Sequence, residues 1–239
     1  MTVEAHQDRS RDGLPAGVGP AAALAVALAF LPMILRPDGG WMAVAVSFAG
    51  TLAMLAFVLR MLPQHYPHPR FGLCNAVTQA RAAMTAGLFG MIWSGPQGWD
   101  VLAVAAVALS LDGVDGWFAR RSGLASDFGA RFDMETDAAL ALVLAGHVWL
   151  GGMTGPEVLL LGAMRYAFVA AFWPCPWLAA PLPVRFGRKV VCVVQIGALI
   201  VLQVPELPPM AARAVAWGAV GALVWSFGRD VLWLWRHRA

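Results

Sequence analysis

The sequence predicts an all-α fold, a polytopic bundle of transmembrane helices. Of its 239 residues, 59% are hydrophobic and only 13% are charged, whereas a soluble domain carries about a quarter charged residues. The apolar residues form long blocks, and a bilayer span needs ~20 such residues in a row. Short polar breaks, or breaks marked by proline and glycine, separate the blocks, as expected for consecutive membrane helices.

We expect eight spans along the chain. Their approximate positions are 20–36, 41–62, 74–95, 99–120, 132–152, 156–178, 187–204 and 210–235. The first segment is the shortest and contains Pro32. We divide the chain into an N-terminal segment, residues 1–70, that holds two spans as a helical hairpin, and a six-helix transmembrane domain, residues 71–239.

The basic residues predict the orientation of these spans. If the N-terminus lies inside, the inner segments contain Arg9, Arg11, Arg60, Arg70, Arg120, Arg121, Arg131, Arg185, Arg188, Lys189, Arg236 and Arg238. The outer loops contain only Arg36, with Arg213 just inside the last span. This asymmetry obeys the positive-inside rule, so both termini are expected in the cytoplasm and the protein in the inner or plasma membrane.

Four aspartates at the inner ends of two consecutive spans are the most informative pattern. Asp112 and Asp115 end the fourth span, and Asp133 and Asp137 begin the fifth. Residues three or four apart share a helix face, and the two antiparallel spans bring both pairs to the same depth. Four carboxylates repel one another unless cations intervene. Because oxygen ligands select hard cations, we expect two Mg²⁺ or Mn²⁺ ions, which could clamp a diphosphate.

A simpler interpretation is that these aspartates only cap helix ends that face water. We prefer that interpretation for Asp127, which lies in the connecting loop. For four acids in paired helical spacing it is the weaker one, because acidic residues within membrane helices usually have a function.

A resemblance to the CDP-alcohol phosphatidyltransferase family is carried by the same stretch. That family's complete signature is similar to Asp112-x-x-Asp115-Gly116-x-x-Ala119-Arg120, then eight residues, then Gly129-x-x-x-Asp133-x-x-x-Asp137. Upstream, the opening of the family's first helix resembles Asn75-x-x-Thr78-x-x-Arg81. The likeness covers about residues 72–235, and the first two spans lie outside it.

The resemblance implies a transferase that moves a phosphatidyl or other phosphoalcohol group from a CDP-alcohol to an acceptor alcohol, releasing CMP. It implies that Asp112, Asp115 and Asp133 bind the metal ions. Asp137 would contact a metal and also serve as the base for the acceptor hydroxyl. The donor site would be lined by Asn75, Thr78, Gly116, Ala119, Arg120, Ser126 and Gly129. The resemblance further implies a homodimer with its active site open to the cytoplasm.

The expected donor is CDP-diacylglycerol, and the expected acceptor is a phosphorylated polyol. Arg165 lies within the sixth predicted span, where an unpaired cation is costly. With Arg185, Arg188 and Lys189 at the start of the seventh, it forms a basic group able to approach the aspartates, although the last three also serve as topology determinants. Two alternatives stay open: a CDP-aminoalcohol:diacylglycerol phosphotransferase, and a cation- or proton-coupled transporter. We expect membrane lipid, and no nucleic acid, as a partner.

Two further polar residues are expected outside the site. Glu135 projects about 100° per residue away from its aspartate neighbours, so we interpret it as a charge at the start of a helix. His147 lies about 15 Å along the helix from Asp137, and we interpret it as a residue of the membrane interface.

Labelling of single cysteines tests the predicted orientation. In a background without Cys74, Cys175 and Cys192, a cysteine in the 121–131 loop should resist a membrane-impermeant maleimide applied to intact cells. A cysteine in the 151–155 loop should react, because the positive-inside rule makes that loop external. The reverse pattern would contradict the orientation.

Overall fold

The computed structural model describes residues 14–95, 98–183 and 186–237. Within these ranges the regular structure is helical, apart from one isolated bridge between Ala16 and Arg70. Seven residues within these ranges are described by their backbone alone: Asp115, Trp117, Ala119, Arg120, Phe186, Arg188 and Lys189. The predicted all-α class is confirmed.

The N-terminal segment forms three helices: α1 (Val18–Leu28), α2 (Leu31–Leu35) and α3 (Gly40–His65). The first predicted span is therefore interrupted, with a turn at residues 29–30. Pro32 lies in the first turn of α2, where its missing N–H leaves no hydrogen bond unmade, whereas the interior of a continuous helix would lose one.

The rest of the described chain forms α4 (Gly72–Met91), α5 (Trp99–Ser122), α6 (Asp127–Leu150), α7 (Leu159–Ala170), α8 (Phe186–Val201) and α9 (Pro209–Arg236). Among the described residues, three segments are long and apolar enough to cross a membrane: Val18–Leu35, Pro37–His65 and Pro209–Arg236. The polytopic helical membrane fold predicted from the hydropathy pattern agrees with them.

The sixth predicted span, 156–178, is only partly helical. A 3₁₀ turn at Pro156–Val158 leads into α7, which ends at Ala170, and a second 3₁₀ turn follows at Pro176–Ala179. Pro174 and Pro176 cannot continue a helix, and each disfavours helical conformation in the residue before it. Arg165 therefore lies five residues before the end of α7, not in the middle of a long span.

Buried polar side chains join the helices by hydrogen bonds to backbone carbonyls. His147 on α6 is fully buried, and its Nε2 lies 2.7 Å from Leu88 O on α4. Gln203 Nε2 donates to Leu144 O on α6 at 3.1 Å. Such bonds satisfy polar groups that cannot reach water within a membrane bundle. His147 lies in the last turn of α6, packed against α4, and its expected place at the membrane interface stays a prediction.

The N-terminal helices pack closely on α4 through small residues. An added Cβ at Gly90 of α4 would overlap Ala43 O and approach Ser47 of α3, and one at Gly50 of α3 would lie 3.1 Å from the Cβ of Ala86. Close backbone approach through glycine and alanine is how helices associate in membranes. It fixes the position of α4 against α3.

Polar contacts also hold α4 at both ends. At its N-terminal end, Ala16 N donates to Pro69 O and Phe71 N donates to Ala16 O, each at 2.9 Å. At its C-terminal end, Arg36 Nη1 donates to Met91 O at 3.5 Å. Arg36 also makes a bidentate ion pair with Asp100 of α5, with Nη2 2.8 Å from Oδ1 and Nε 2.5 Å from Oδ2. The N-terminal segment thus contacts α4 at both of its ends.

Candidate active site

Arg81 of α4 lies at the centre of the candidate site. Its Nη1 is 2.6 Å from Asp133 Oδ1, and its Nη2 is 2.5 Å from Asp137 Oδ1 and 3.0 Å from Asp112 Oδ1. Its Nε donates to Ala108 O of α5 at 3.1 Å. One guanidinium from α4 therefore joins carboxylates on α5 and α6. The planar fork of arginine suits such multidentate contacts.

The three carboxylates form a set of oxygen donors suited to a divalent cation. Asp112, Asp133 and Asp137 each offer an oxygen that lies within 4.8 Å of the other two. Their side chains are 34%, 40% and 33% exposed, so an ion can reach them from solvent. An all-oxygen set fits Mg²⁺ or Mn²⁺. Asp115 follows Asp112 by about one turn of α5, but the structure describes only its backbone. Its contribution of a metal ligand therefore stays a prediction.

The tight reversal between α5 and α6 brings the carboxylates together. Gly123 ends α5 in the left-handed region, with φ +67°, a conformation that glycine adopts without steric cost. Ser126 caps α6, and its Oγ accepts a hydrogen bond from Gly129 N at 3.1 Å. Four residues apart, Asp133 and Asp137 share one face of α6, as the spacing predicted.

Three of the expected donor-site residues also meet near this reversal. A Cβ added to Gly129 would lie 3.0 Å from Asn75 Oδ1 and 3.4 Å from Ser126 Oγ, so the glycine lets Asn75 of α4 approach α6. The Asn75 amide also donates to Phe71 O at 2.5 Å. Thr78 donates to Cys74 O at 3.0 Å. Asn75 and Thr78 are almost fully buried, and these bonds hold them within the protein interior.

The other expected donor-site residues lie on the last turns of α5. Gly116 is half-buried, and Ala119 and Arg120 are in the same helix with side chains outside the description. A Cβ at Gly113 would have no atom within 4 Å. Within the described part of the chain, no neighbouring helix packs against Gly113, and the space beside it is open.

Arg165, expected at the acceptor site, is paired with Glu135. Arg165 Nη2 donates to Glu135 Oε1, and its Nη1 lies 2.8 Å from Met134 Sδ. α6 begins at Asp127, so Glu135 is not a helix-start charge. It neutralises Arg165 of α7, on the stretch of α6 between Asp133 and Asp137.

Three other basic residues were expected at the acceptor site. Arg185 lies outside the described residues. Arg188 and Lys189 lie in the first turn of α8, with side chains outside the description. Their proximity to the aspartates stays a prediction.

The central place of Arg81 was not foreseen from the sequence. Arg81 was noted only as the last residue of the Asn75-x-x-Thr78-x-x-Arg81 pattern. A stronger signal was available, because clustered carboxylates in a low-dielectric site require a nearby cation. Arg81 shares a face of α4 with Thr78 and faces the helices that carry the acids.

Comparison with known proteins identifies the family. A family model described as CDP-alcohol phosphatidyltransferase matches residues 71–225, about two thirds of the chain. The chain belongs to the CDP-alcohol phosphatidyltransferase family. The family consists of membrane transferases that move a phosphatidyl group from a CDP-alcohol and use divalent metal ions. This match gives no support to the transporter alternative. Comparisons with curated proteins and with solved structures gave no match.

The aspartate cluster predicts metal-dependent activity. Chelation by EDTA should abolish release of CMP from a CDP-alcohol, and added Mg²⁺ or Mn²⁺ should restore it. Asp133→Asn should lower turnover by more than the roughly 10–100-fold that follows loss of an outer-shell partner. Asp127→Asn, in the exposed first turn of the same helix, is the matched control and should retain activity. Full activity in EDTA, or equal losses in the two variants, would contradict a metal site here.

Proposed function

We propose that this protein transfers a phosphatidyl group from CDP-diacylglycerol to a phosphorylated polyol and releases CMP. The observation that carries the proposal is the convergence of Asp112, Asp133 and Asp137 within 4.8 Å, on the two helices that hold the family's signature. The partial exposure of all three carboxylates supports access for substrates.

The donor's diphosphate would be bound at the aspartate cluster. Two divalent ions, held by the three carboxylates and Asp115, would neutralise the diphosphate and the departing CMP when bound. Around them, Gly116, Ala119, Arg120 and Gly129 would line the donor site with Asn75, Thr78 and Ser126. The open space beside Gly113 supports room for a substrate at this level of α5.

Asp137 would act as the base. It would accept the proton of the acceptor hydroxyl, whose oxygen then attacks the phosphorus that bears diacylglycerol. The new phosphorus–oxygen bond forms as the bond to the CMP oxygen breaks, and CMP leaves with the electron pair. Since Asp137 is about one third exposed, an acceptor can reach it. Positioning and electrostatic stabilisation would supply most of the rate.

Asp137→Asn tests the base directly. It preserves the shape of the side chain but removes its basicity, so turnover should fall by roughly two to four orders of magnitude, the usual contribution of acid–base catalysis. Binding of CDP-diacylglycerol, measured by calorimetry, should weaken much less. Near-normal turnover of this variant would contradict the assignment.

The proposed acceptor carries a phosphate because of Arg165. This side chain is 29% exposed and lies against the part of α6 between two of the aspartates. In the part of the chain that the structure describes, its buried Nε has no hydrogen-bond partner. A phosphorylated polyol, such as glycerol 3-phosphate or inositol phosphate, would gain charge-assisted hydrogen bonds there. Choline carries no anionic group and would gain none, and serine offers only a singly charged carboxylate in place of a phosphate. Arg185, Arg188 and Lys189 would add to this basic group.

A panel of acceptors tests the proposal. Purified protein with CDP-diacylglycerol and Mg²⁺ should release CMP faster with glycerol 3-phosphate or inositol phosphate than with inositol, serine or choline. Arg165→Ala should raise the acceptor KM and leave the donor KM nearly unchanged. Glu135→Gln should lower the acceptor KM, because the carboxylate that competes for Arg165 is removed.

Three outcomes of the panel would contradict this acceptor. They are a preference for serine or choline, transfer from a CDP-aminoalcohol to diacylglycerol, and an Arg165→Ala variant with an unchanged acceptor KM. The second outcome would identify the alternative function in which the lipid is the acceptor.

We extend the proposal to the membrane orientation, the oligomeric state and the domain division of the enzyme. The distribution of arginine and lysine supports an active site that faces the cytoplasm from the inner or plasma membrane. We also propose a homodimer, as the family resemblance implies. Residues 71–239 would form the catalytic domain, and residues 1–70 a separate segment, supported by the start of the family match at residue 71.

A further inference from the structure

We propose that Arg81 is a permanent counter-cation of the metal site. It holds the three carboxylates together before ions bind, and it stays in place when they do. Its positive charge then weakens ion binding and leaves the loaded site with excess positive charge for the donor's diphosphate. This inference rests on the proposed metal-dependent transfer.

The solvent exposures of the side chains indicate that an ion would approach the cluster from the side opposite Arg81. Arg81 is 1% exposed, whereas the carboxylates of Asp112, Asp133 and Asp137 are each about one third exposed or more. The guanidinium therefore lies on the interior side of the cluster and the carboxylates on the solvent side. An ion from solvent meets the carboxylates first and has no need to displace Arg81.

The surroundings of Arg81 also keep it in place. Its Nε donates to Ala108 O of α5, and both terminal nitrogens contact carboxylates. A guanidinium remains charged at every physiological pH. Moving a buried guanidinium away from these partners would leave a charge without compensation in a low-dielectric interior, which is strongly unfavourable.

Arg81 changes the net charge of the metal-loaded cluster. The three described carboxylates and Arg81 have a formal sum of −2, and Asp115 would bring this to −3. Two divalent ions would then leave +1, whereas without Arg81 they would leave zero. A preorganised positive charge next to a diphosphate favours its binding and the negative charge that develops on CMP.

The test uses full-length protein in detergent at pH 8, without substrate. Binding of Mn²⁺ is measured by electron paramagnetic resonance, and thermal unfolding is measured in EDTA and in Mn²⁺. Arg81→Gln should have a lower Tm in EDTA, because the carboxylates repel one another. Mn²⁺ should raise its Tm more than that of the wild type. Its Mn²⁺ affinity should be about tenfold higher or more, because a neighbouring positive charge is gone.

Arg36→Gln is the matched control. Arg36 is also a mostly buried arginine in an ion pair, with Asp100, but it lies at the opposite end of α4. Its loss should lower the Tm equally in EDTA and in Mn²⁺ and leave Mn²⁺ affinity unchanged. Arg81→Lys, which retains the charge, should keep a Mn²⁺ affinity close to that of the wild type.

A compensating variant distinguishes charge from packing. Adding Asp112→Asn to Arg81→Gln removes one negative charge, so the Tm in EDTA should recover in part. If Arg81→Gln alone does not fold, it should fold with this second change or when purified in Mn²⁺. Failure of both rescues would overturn the inference.

The remaining outcomes separate this inference from the proposed function. If the wild type binds Mn²⁺ but Arg81→Gln binds it with equal or lower affinity, Arg81 only assembles the site and the inference is wrong. If the wild type binds no Mn²⁺, the proposed metal-dependent function fails, and the inference fails with it.

Discussion

Mutual repulsion among clustered carboxylates is the constraint on which this structure depends. Asp112, Asp133 and Asp137 come from two helices and converge within 4.8 Å, in a bundle where the low dielectric strengthens their repulsion. Arg81 of a third helix offsets it by contacting all three. The N-terminal halves of α4 and α6 and the C-terminal half of α5 must therefore stay together for the site to exist.

The position of α4 must be precise, because Arg81 projects from this helix to the aspartates. This explains how residues outside the family match contribute to the site. The N-terminal helices pack on α4 through glycine and alanine, and hydrogen bonds at Ala16 restrain its N-terminal end. We infer that the N-terminal segment acts as a brace that holds α4 in register with the aspartates.

The fold class and the convergence of three of the four aspartates could be predicted from the sequence, because both follow from short-range rules. Span length predicted helices, and the spacing of Asp133 and Asp137 predicted a shared face. Features that depend on contacts between distant residues were missed. Sequence spacing does not reveal that His147 contacts Leu88 O or that Arg165 pairs with Glu135, because each pair joins two different helices. The break before Pro32 and the early end of α7 were marked by prolines, but hydropathy alone predicted continuous spans.

If metal ions and Arg81 occupy the aspartate cluster together, both should be visible in one structure. The decisive measurement is a crystal structure of the Mn²⁺-loaded protein, with anomalous scattering recorded for manganese. We expect manganese beside Asp112, Asp133 and Asp137 on their solvent side, with Arg81 still within hydrogen-bond distance of at least one of these carboxylates. Manganese bound elsewhere, or an Arg81 side chain displaced from all three carboxylates, would contradict this expectation.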